Sequence, residues 1–430
     1  MRYYSTRNKN EAVSFSTAAL AGLAPDGGLY VPEEVPQYSA AVKASLARMA
    51  FTDIAFETIR PWVQADIPAP VLEEMVHSAY PFTAPLVKAG DRMVLELFHG
   101  PTAAFKDFGA RFMARAFSYL RRGEEKPLRI LVATSGDTGG AVADGFYGVE
   151  GISVTVLYPK GRVSPLQERQ IAGLGGNISA LAVEGSFDDC QSLVKQAFGD
   201  RELNKRIVLS SANSINISRL IPQAVYYAAA AGQGSGSVFC VPSGNFGNLT
   251  AGLYAWKMGA PIAGFIAATN INKTVPDYLE NGSYEARLSQ STLSNAMDVG
   301  APSNFERMAA HFSYEEMRRL IAGSSVTDDE TRDTITQVFS RWSYYLDPHT
   351  AVGWRAADKL MQAGKLAGGD AQPLAILSTA HPAKFAETVE PLVGAVPVPP
   401  SLQKALERSV EARTIPVNLE ALIEALKESL

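Results

Sequence analysis

Short apolar runs of strand length alternate with helical patterns through the middle of this chain, and no other feature narrows its possible folds as far. The runs are Leu128–Thr134, Ile152–Leu157, Ile178–Val183, Ile207–Ser211, Val238–Val241, Ala263–Ala268 and Leu374–Leu377. Helical patterns lie among them at Ser164–Ala172, Phe187–Phe198, Ser214–Ala231 and Gly247–Lys257. Strands that are apolar on both faces must be covered on both faces, and intervening helices do the covering. The expectation is an α/β architecture with open parallel sheets. A length of 430 residues leaves room for two or three domains.

Prolines punctuate residues 1–90, which read as an N-terminal subdomain; two core segments follow at 91–225 and 226–392, then a tail at 393–430. In the tail, Leu402, Leu406, Leu419, Leu422 and Leu426 mark amphipathic helix packed on the body. Thr327-Asp328-Asp329-Glu330 has capping-box spacing and is expected to open a helix through Val338 and Phe339.

A balance of 47% hydrophobic and 19% charged residues fits a soluble globular protein, and a formal charge of −5 argues against nucleic acid as a partner. No apolar run reaches the length of a membrane span and Met1-Arg2-Tyr3-Tyr4-Ser5 begins no signal peptide, so no membrane partner is expected. Cys190 and Cys240 are too few and too distant for a disulfide framework, which points to the cytoplasm. The histidines are scattered without ligand spacing, so no metal is expected.

Lys106 stands out from the other lysines. It follows His99-Gly100-Pro101-Thr102-Ala103-Ala104-Phe105 and precedes Asp107 and Phe108, with apolar residues upstream at Met93–Leu95 and downstream at Phe112 and Met113. Apolar positions at 108, 112, 113, 116, 117 and 120 place it where a loop turns into a helix. A lysine is ordinarily a solvated surface charge. Held among aromatic rings it loses hydration, and its neutral amine becomes a nucleophile that forms Schiff bases with carbonyl compounds.

Two loops offer anion cradles. Ser135-Gly136-Asp137-Thr138-Gly139-Gly140 follows the first apolar run, and Ser243-Gly244-Asn245-Phe246-Gly247-Asn248 follows Val238–Pro242. Glycines let backbone N–H groups converge on an anion, and a helix N-terminus adds positive potential. An ordinary strand-to-helix turn uses the same residue types. Neither loop matches the P-loop pattern and no dinucleotide fingerprint occurs, which disfavours a nucleotide-binding protein.

In this order the residues resemble the threonine synthases, in the longer form of many bacteria and fungi. That family belongs to the tryptophan-synthase-β-like, fold type II enzymes dependent on pyridoxal 5'-phosphate (PLP). The resemblance rests on Tyr3-Tyr4-Ser5-Thr6-Arg7, Pro25-Asp26-Gly27-Gly28-Leu29-Tyr30-Val31-Pro32, His99-Gly100-Pro101-Thr102 with Lys106-Asp107-Phe108, and Thr134-Ser135-Gly136-Asp137-Thr138-Gly139. It continues through Ser211-Ala212-Asn213-Ser214-Ile215-Asn216, the Ser243–Asn248 loop and Ser378-Thr379-Ala380-His381-Pro382-Ala383-Lys384-Phe385. Between about 270 and 370 few fixed residues match beyond Asp347-Pro348-His349-Thr350-Ala351.

The resemblance implies two open α/β sheet domains with the cofactor in the cleft between them, plus the N-terminal subdomain and C-terminal helices. It assigns covalent PLP binding and proton transfer to Lys106, the cofactor phosphate to Gly244, Asn245, Phe246, Gly247 and Asn248, and the pyridine nitrogen to Thr379. Thr134, Ser135, Asp137 and Thr138 would take the substrate's α-carboxylate. Asn213, Ser214 and Arg219 would take the phosphate of O-phosphohomoserine, although a surface salt bridge is an equal reading of Arg219 from sequence. His381 reads equally as a structural histidine and receives no catalytic role. The implied reaction is β,γ-elimination of phosphate followed by water addition at Cβ, giving threonine, in a monomeric enzyme. Alternatives are a threonine dehydratase or cysteine-synthase-like enzyme of the same fold, or a non-catalytic threonine-synthase-like protein that binds phosphorylated metabolites.

Overall fold

The computed structural model describes residues 1–234, 237–366 and 372–428. Its strands are β1 (Tyr3–Ser5), β2 (Tyr30–Pro32), β3 (Leu86–Ala89), β4 (Arg92–Glu96), β5 (Leu128–Ala133), β6 (Ile152–Pro159), β7 (Ile178–Val183), β8 (Val208–Ser211), β9 (Ser237–Pro242), β10 (Ile262–Thr269), β11 (Ile321–Ser325), β12 (Leu374–Ser378) and β13 (Arg413–Ile415). A six-stranded sheet has the order β11-β10-β9-β12-β4-β3, a five-stranded sheet the order β13-β7-β6-β5-β8, and β1 pairs with β2. Every pairing in the two large sheets is parallel except β3 with β4. Each expected apolar run is a strand, because β5, β9 and β12 are buried along their whole length.

Between the sheets the chain crosses after β4, after β8 and after β12, and each crossing passes the cleft. The first carries Lys106, the second Asn213, Ser214 and Arg219, and the third Thr379. Sheet membership therefore does not follow the division at 91 and 225. Strand β4 belongs beside β12 in the larger sheet, and β13 of the tail extends the smaller one beside β7. Pairing between segments so distant in the chain leaves no local mark in the sequence.

Local chemistry explains the other departures. The pattern over 214–231 is broken into Ile217–Leu220, a 3-10 turn Ile221–Gln223 and Ala224–Gln233, with Pro222 at the break. Strand β11 reads Ile-Ala-Gly-Ser-Ser, too small and polar to announce itself. In the tail, helices Pro400–Leu406 and Leu419–Glu428 flank β13; Leu402, Leu422 and Leu426 are buried, whereas Leu406 is 40% exposed. The tail's last residues, 429–430, lie outside the described residues. The capping box at Thr327 forms and opens the helix Asp328–Trp342.

One aromatic cluster fastens the N-terminal region to the helix that Lys106 begins, Lys106–Leu120. The ring of Phe108 lies between 5.1 and 5.8 Å from those of Phe51, Tyr80, Phe82 and Tyr226, and the Tyr80 hydroxyl donates to the Phe108 carbonyl. Phe108→Ala empties the centre of this cluster. It is expected to lower unfolding free energy by about 3–5 kcal/mol, measured by urea denaturation.

Candidate active site

The carboxyl ends of β5, β8, β9 and β12 face a common cleft, where ligands of open parallel sheets gather. A cavity of about 940 Å³ opens there. Lys106, Thr134, Ser135, Asp137, Thr138, Asn213, Ser214, Arg219, Gly244, Asn245, Phe246, Gly247, Asn248 and Thr379 all line it. Residues from three chain crossings and two glycine loops thus share one space.

Lys106 is the first residue of its helix and reaches the cavity from a strained approach. Ala103 has φ +53°, a left-handed conformation uncommon for a residue with a side chain. An isolated bridge joins Ala104 to Ala380, and the Phe105 N–H donates to the Thr379 carbonyl (2.8 Å), so the end of β12 holds the lysine loop in place. Beneath it, Asp107 accepts from the Thr102 N–H (2.9 Å) and hydroxyl (2.6 Å). A side chain at Gly100 would strike the Asp107 carboxylate at 2.3 Å. Burial pushes the Asp107 carboxyl up to about 6, partly offset by Thr102. Desolvation lowers Lys106 to about 8; Asp137 pulls it back, while Arg219 and Lys384 press it further down.

The first glycine loop is shaped by its own side chains. Thr134 Oγ1 accepts from the N–H groups of Gly136 and Gly139 (both 2.9 Å) and donates to the Gly136 carbonyl (3.1 Å). The Asp137 carboxylate accepts from Gln167 Nε2 (2.9 Å) and pairs with Lys384 Nζ at 2.8 Å. Burial would raise Asp137, but Lys384, Lys106 and the Lys384 hydrogen bond outweigh it and hold the carboxyl well below the usual range. The Thr134 hydroxyl is therefore committed to its own loop, and the Asp137 carboxylate, an acceptor, to Gln167 and Lys384. The helix Asp137–Phe146 begins here, and its first N–H groups, on Asp137 and Thr138, have no carbonyl one turn behind them.

The second loop is tighter. Phe246 caps the helix Gly247–Met258 at φ +59°, and Gly247 and Asn248 of its first turn line the cavity. Tyr226 and Tyr227 hydroxyls donate to Asn248 Oδ1 (2.6 and 2.7 Å), while its buried Nδ2 has no protein partner. A Cβ on Gly244 would meet the Ala296 carbonyl oxygen at 2.5 Å and Met297 Cα at 2.8 Å, both backbone. Gly244→Ala is accordingly expected to lower unfolding free energy by about 1–3 kcal/mol through overpacking, measured by urea denaturation.

Beside it, Asn213 Nδ2 donates to the Ala133 carbonyl (2.7 Å), and Ser214 Oγ accepts from Asn245 Nδ2 (2.7 Å), so the serine's own proton remains available. Arg219 is buried, with Nη1 donating to the Ala212 carbonyl and Nε without a partner. Burial lowers its guanidinium to about 10 and Asp107 pulls it back. A buried cation this poorly satisfied keeps hydrogen-bonding capacity toward the cavity.

Other positions at or beside the cavity were given no role from the sequence. Arg7, Asp26 and Gly27 bring the N-terminal region to the cavity mouth, where Arg7 pairs with Glu306 at 3.2 Å. Asn295, Ala296 and Met297 wall the cavity between the two glycine loops; Asn295 Nδ2 donates to the Ser135 carbonyl (3.3 Å). His349 holds that wall: its Nε2 accepts from the Ala296 N–H (3.3 Å), which leaves Nδ1 to donate to Asp347 (2.8 Å). Buried Arg307 donates to the carbonyls of Tyr30, Ser214 and Ile215, tying the N-terminal region to the second crossing. His381, by contrast, caps the 3-10 turn Pro382–Phe385 through Nδ1. Of these, Arg7, Asp26, Gly27 and His349 stand in stretches that carry the family resemblance, whereas Asn295, Ala296, Met297 and Arg307 do not.

The residues suit a phosphorylated aldehyde: a desolvated amine, an unpartnered amide donor at Asn248 and a glycine that leaves the 244 backbone open to close approach. Among the described residues no group of His, Cys, Asp and Glu could hold a metal ion, and no helix is long and apolar enough to cross a membrane. Residues 92–378 match the family model for pyridoxal-phosphate dependent enzymes, which makes the protein a PLP enzyme of fold type II. Residues 2–80 match the threonine synthase N terminus and residues 350–426 the threonine synthase C-terminal model. The chain is 42% identical to threonine synthase of Escherichia coli (strain K12) over 429 residues, 98% of each chain. The PLP-bound threonine synthase from Brucella melitensis superposes with TM-score 0.91 at 38% identity, covering 100% of this chain and 99% of that one. Yeast threonine synthase does so with TM-score 0.90 at 33% identity, covering 100% and 98%. The chain belongs to the threonine synthase family, and its activity is that of a threonine synthase.

Proposed function

We propose that the substrate is O-phosphohomoserine and that the cavity serves three anions at once: the cofactor phosphate, the substrate carboxylate and the substrate phosphate. The observation that carries this reading is Arg219, a buried guanidinium with an unpartnered Nε in the same cavity as the amine. The helix start at Gly247 with Asn248 would hold the cofactor phosphate, and Thr379 the pyridine nitrogen. Ser135 and Thr138, with the first-turn N–H groups of the Asp137 helix, would take the carboxylate. Asn213, Ser214 and Arg219 would take the leaving phosphate.

PLP, when bound, supplies an aldehyde for the amine and an electron sink for the substrate carbanion. The chain's residues do the rest. Lys106, once displaced by the substrate amine, removes the Cα proton; an amine near pKa 8 is basic enough to do so and neutral often enough to be ready. His349 is engaged by Ala296, and Asp137 by Lys384 and Gln167, so neither is free to act as a second base. The departing phosphate is left to carry the later proton. A proton leaves Cβ as phosphate leaves Cγ; Cγ then gains a proton to become the methyl group, water adds at Cβ as hydroxyl, and return of a proton to Cα completes the conversion to threonine.

The two free, buried cysteines, Cys190 and Cys240, suit a cytoplasmic protein. The test is product analysis with purified holoenzyme. O-phosphohomoserine is expected to yield phosphate and threonine in equal amounts. Keto acid from free threonine would instead assign a dehydratase, and no turnover of either a binding protein.

A further inference from the structure

We propose that Lys384 is a positioning residue for Lys106: its ammonium clasps Asp137 and the Thr102 carbonyl behind the cavity, cancels the Asp137 charge, and so leaves the Lys106 amine without a carboxylate partner. The inference rests on the reading of Lys106 as the cofactor lysine and adds a second lysine that does not itself line the cavity.

The geometry is specific. Lys384 is fully buried, which is costly for a lysine unless its charge and its donors are met. Nζ lies 2.8 Å from Asp137 Oδ1 and donates to the Thr102 carbonyl at 2.7 Å. Gln167 Nε2 donates to the same Asp137 oxygen (2.9 Å), and Gln170 Nε2 to the same carbonyl (3.1 Å). One ammonium therefore joins the turn after β12, the loop leading into Lys106 and the first glycine loop, which belong to both sheets. The Lys384 carbonyl is held in turn by the Ser164 hydroxyl (2.9 Å), so the backbone beneath the clasp is fixed as well.

The charges near Lys106 are few: Asp137, Arg219 and Lys384 act on it, Asp107 lies under its loop bound to Thr102, and His349 faces Asp137. With Lys384 present, Asp137 has a closer cation and the lysine amine can shed its proton. Without Lys384, Asp137 would be a buried carboxylate whose nearest cation is Lys106. The pair would close, and the amine would stay protonated. Desolvation of Lys106 alone is thus insufficient; the neighbouring carboxylate has to be neutralised by another group.

The test follows the rate at which apoprotein captures PLP covalently, read by absorbance across the neutral and alkaline range. Lys384→Gln keeps a donor but removes the charge, and should raise the pH midpoint of capture by at least about one unit. Asp137→Asn should lower it. The double variant removes both charges and should return the midpoint close to that of the parent. Midpoints that stay put in both single variants, or move in the same direction, overturn the proposal. If one single variant fails to fold, the other is read with the double variant: a shift in the folded single variant that the double variant cancels supports the clasp, and a folded single variant at the parental midpoint overturns it. Borohydride fixation and peptide mapping of the parent separate the two readings. A label on another lysine would remove Lys106 from its role, whereas a label on Lys106 with immobile midpoints would remove only Lys384.

Discussion

Lys106→Ala is expected to abolish threonine formation, with kcat falling by at least about 10⁴-fold, the upper end of what a positioned proton-transferring group contributes. The fold should survive. Lys106 makes no hydrogen bond that holds another segment; its neighbours are fixed by Thr102–Asp107, Phe105–Thr379 and Ala104–Ala380 contacts that do not involve its side chain. Removing a desolvated amine that pays a burial penalty when charged should leave the thermal midpoint unchanged or slightly raised. Activity and thermal unfolding measured on the same preparation check both halves. An inactive variant that is also unfolded would say nothing of chemistry, and an active one would remove the lysine from the reaction.

Arg219→Met carries the second large effect. Here kcat/KM for O-phosphohomoserine should fall by about 10²–10³-fold, comparable to removing one fixed donor from a developing anion. Arg219→Lys should recover little of it, because an ammonium cannot reproduce the planar fork of the guanidinium. Stability should move the other way or not at all, since Nε has no partner among the described residues and burying the charge is costly without a ligand anion. Steady-state phosphate release and urea unfolding separate the outcomes. A variant that unfolds easily yet turns over normally would make Arg219 a structural brace for the Ala212 carbonyl.

Much of this architecture was legible in the sequence, for identifiable reasons. Strands such as β5 and β9, buried on both faces, read as unbroken apolar runs; Ser135–Gly140 and Ser243–Asn248 stand where runs end and helices begin. Lys106 was visible because its surroundings are apolar. What stayed hidden depends on which sheet a segment joins. Nothing near Arg92–Glu96 says that it pairs with Leu374–Ser378, and that pairing is what brings Thr379 and Lys384 to the lysine loop. The same holds for His349 and the Ala296 peptide, and for Arg307, whose acceptors are carbonyls at positions 30, 214 and 215. Residue types also conceal use. Thr134 and Asp137 look like ligands in sequence, yet their side chains close the loop on itself and on Lys384.

Borohydride reduction of the holoenzyme followed by peptide mapping tests the central claim most directly. The reduced cofactor should be found on the peptide containing Lys106 and on no other. Recovery of the label at a different lysine, or a protein that takes up no PLP, would contradict it.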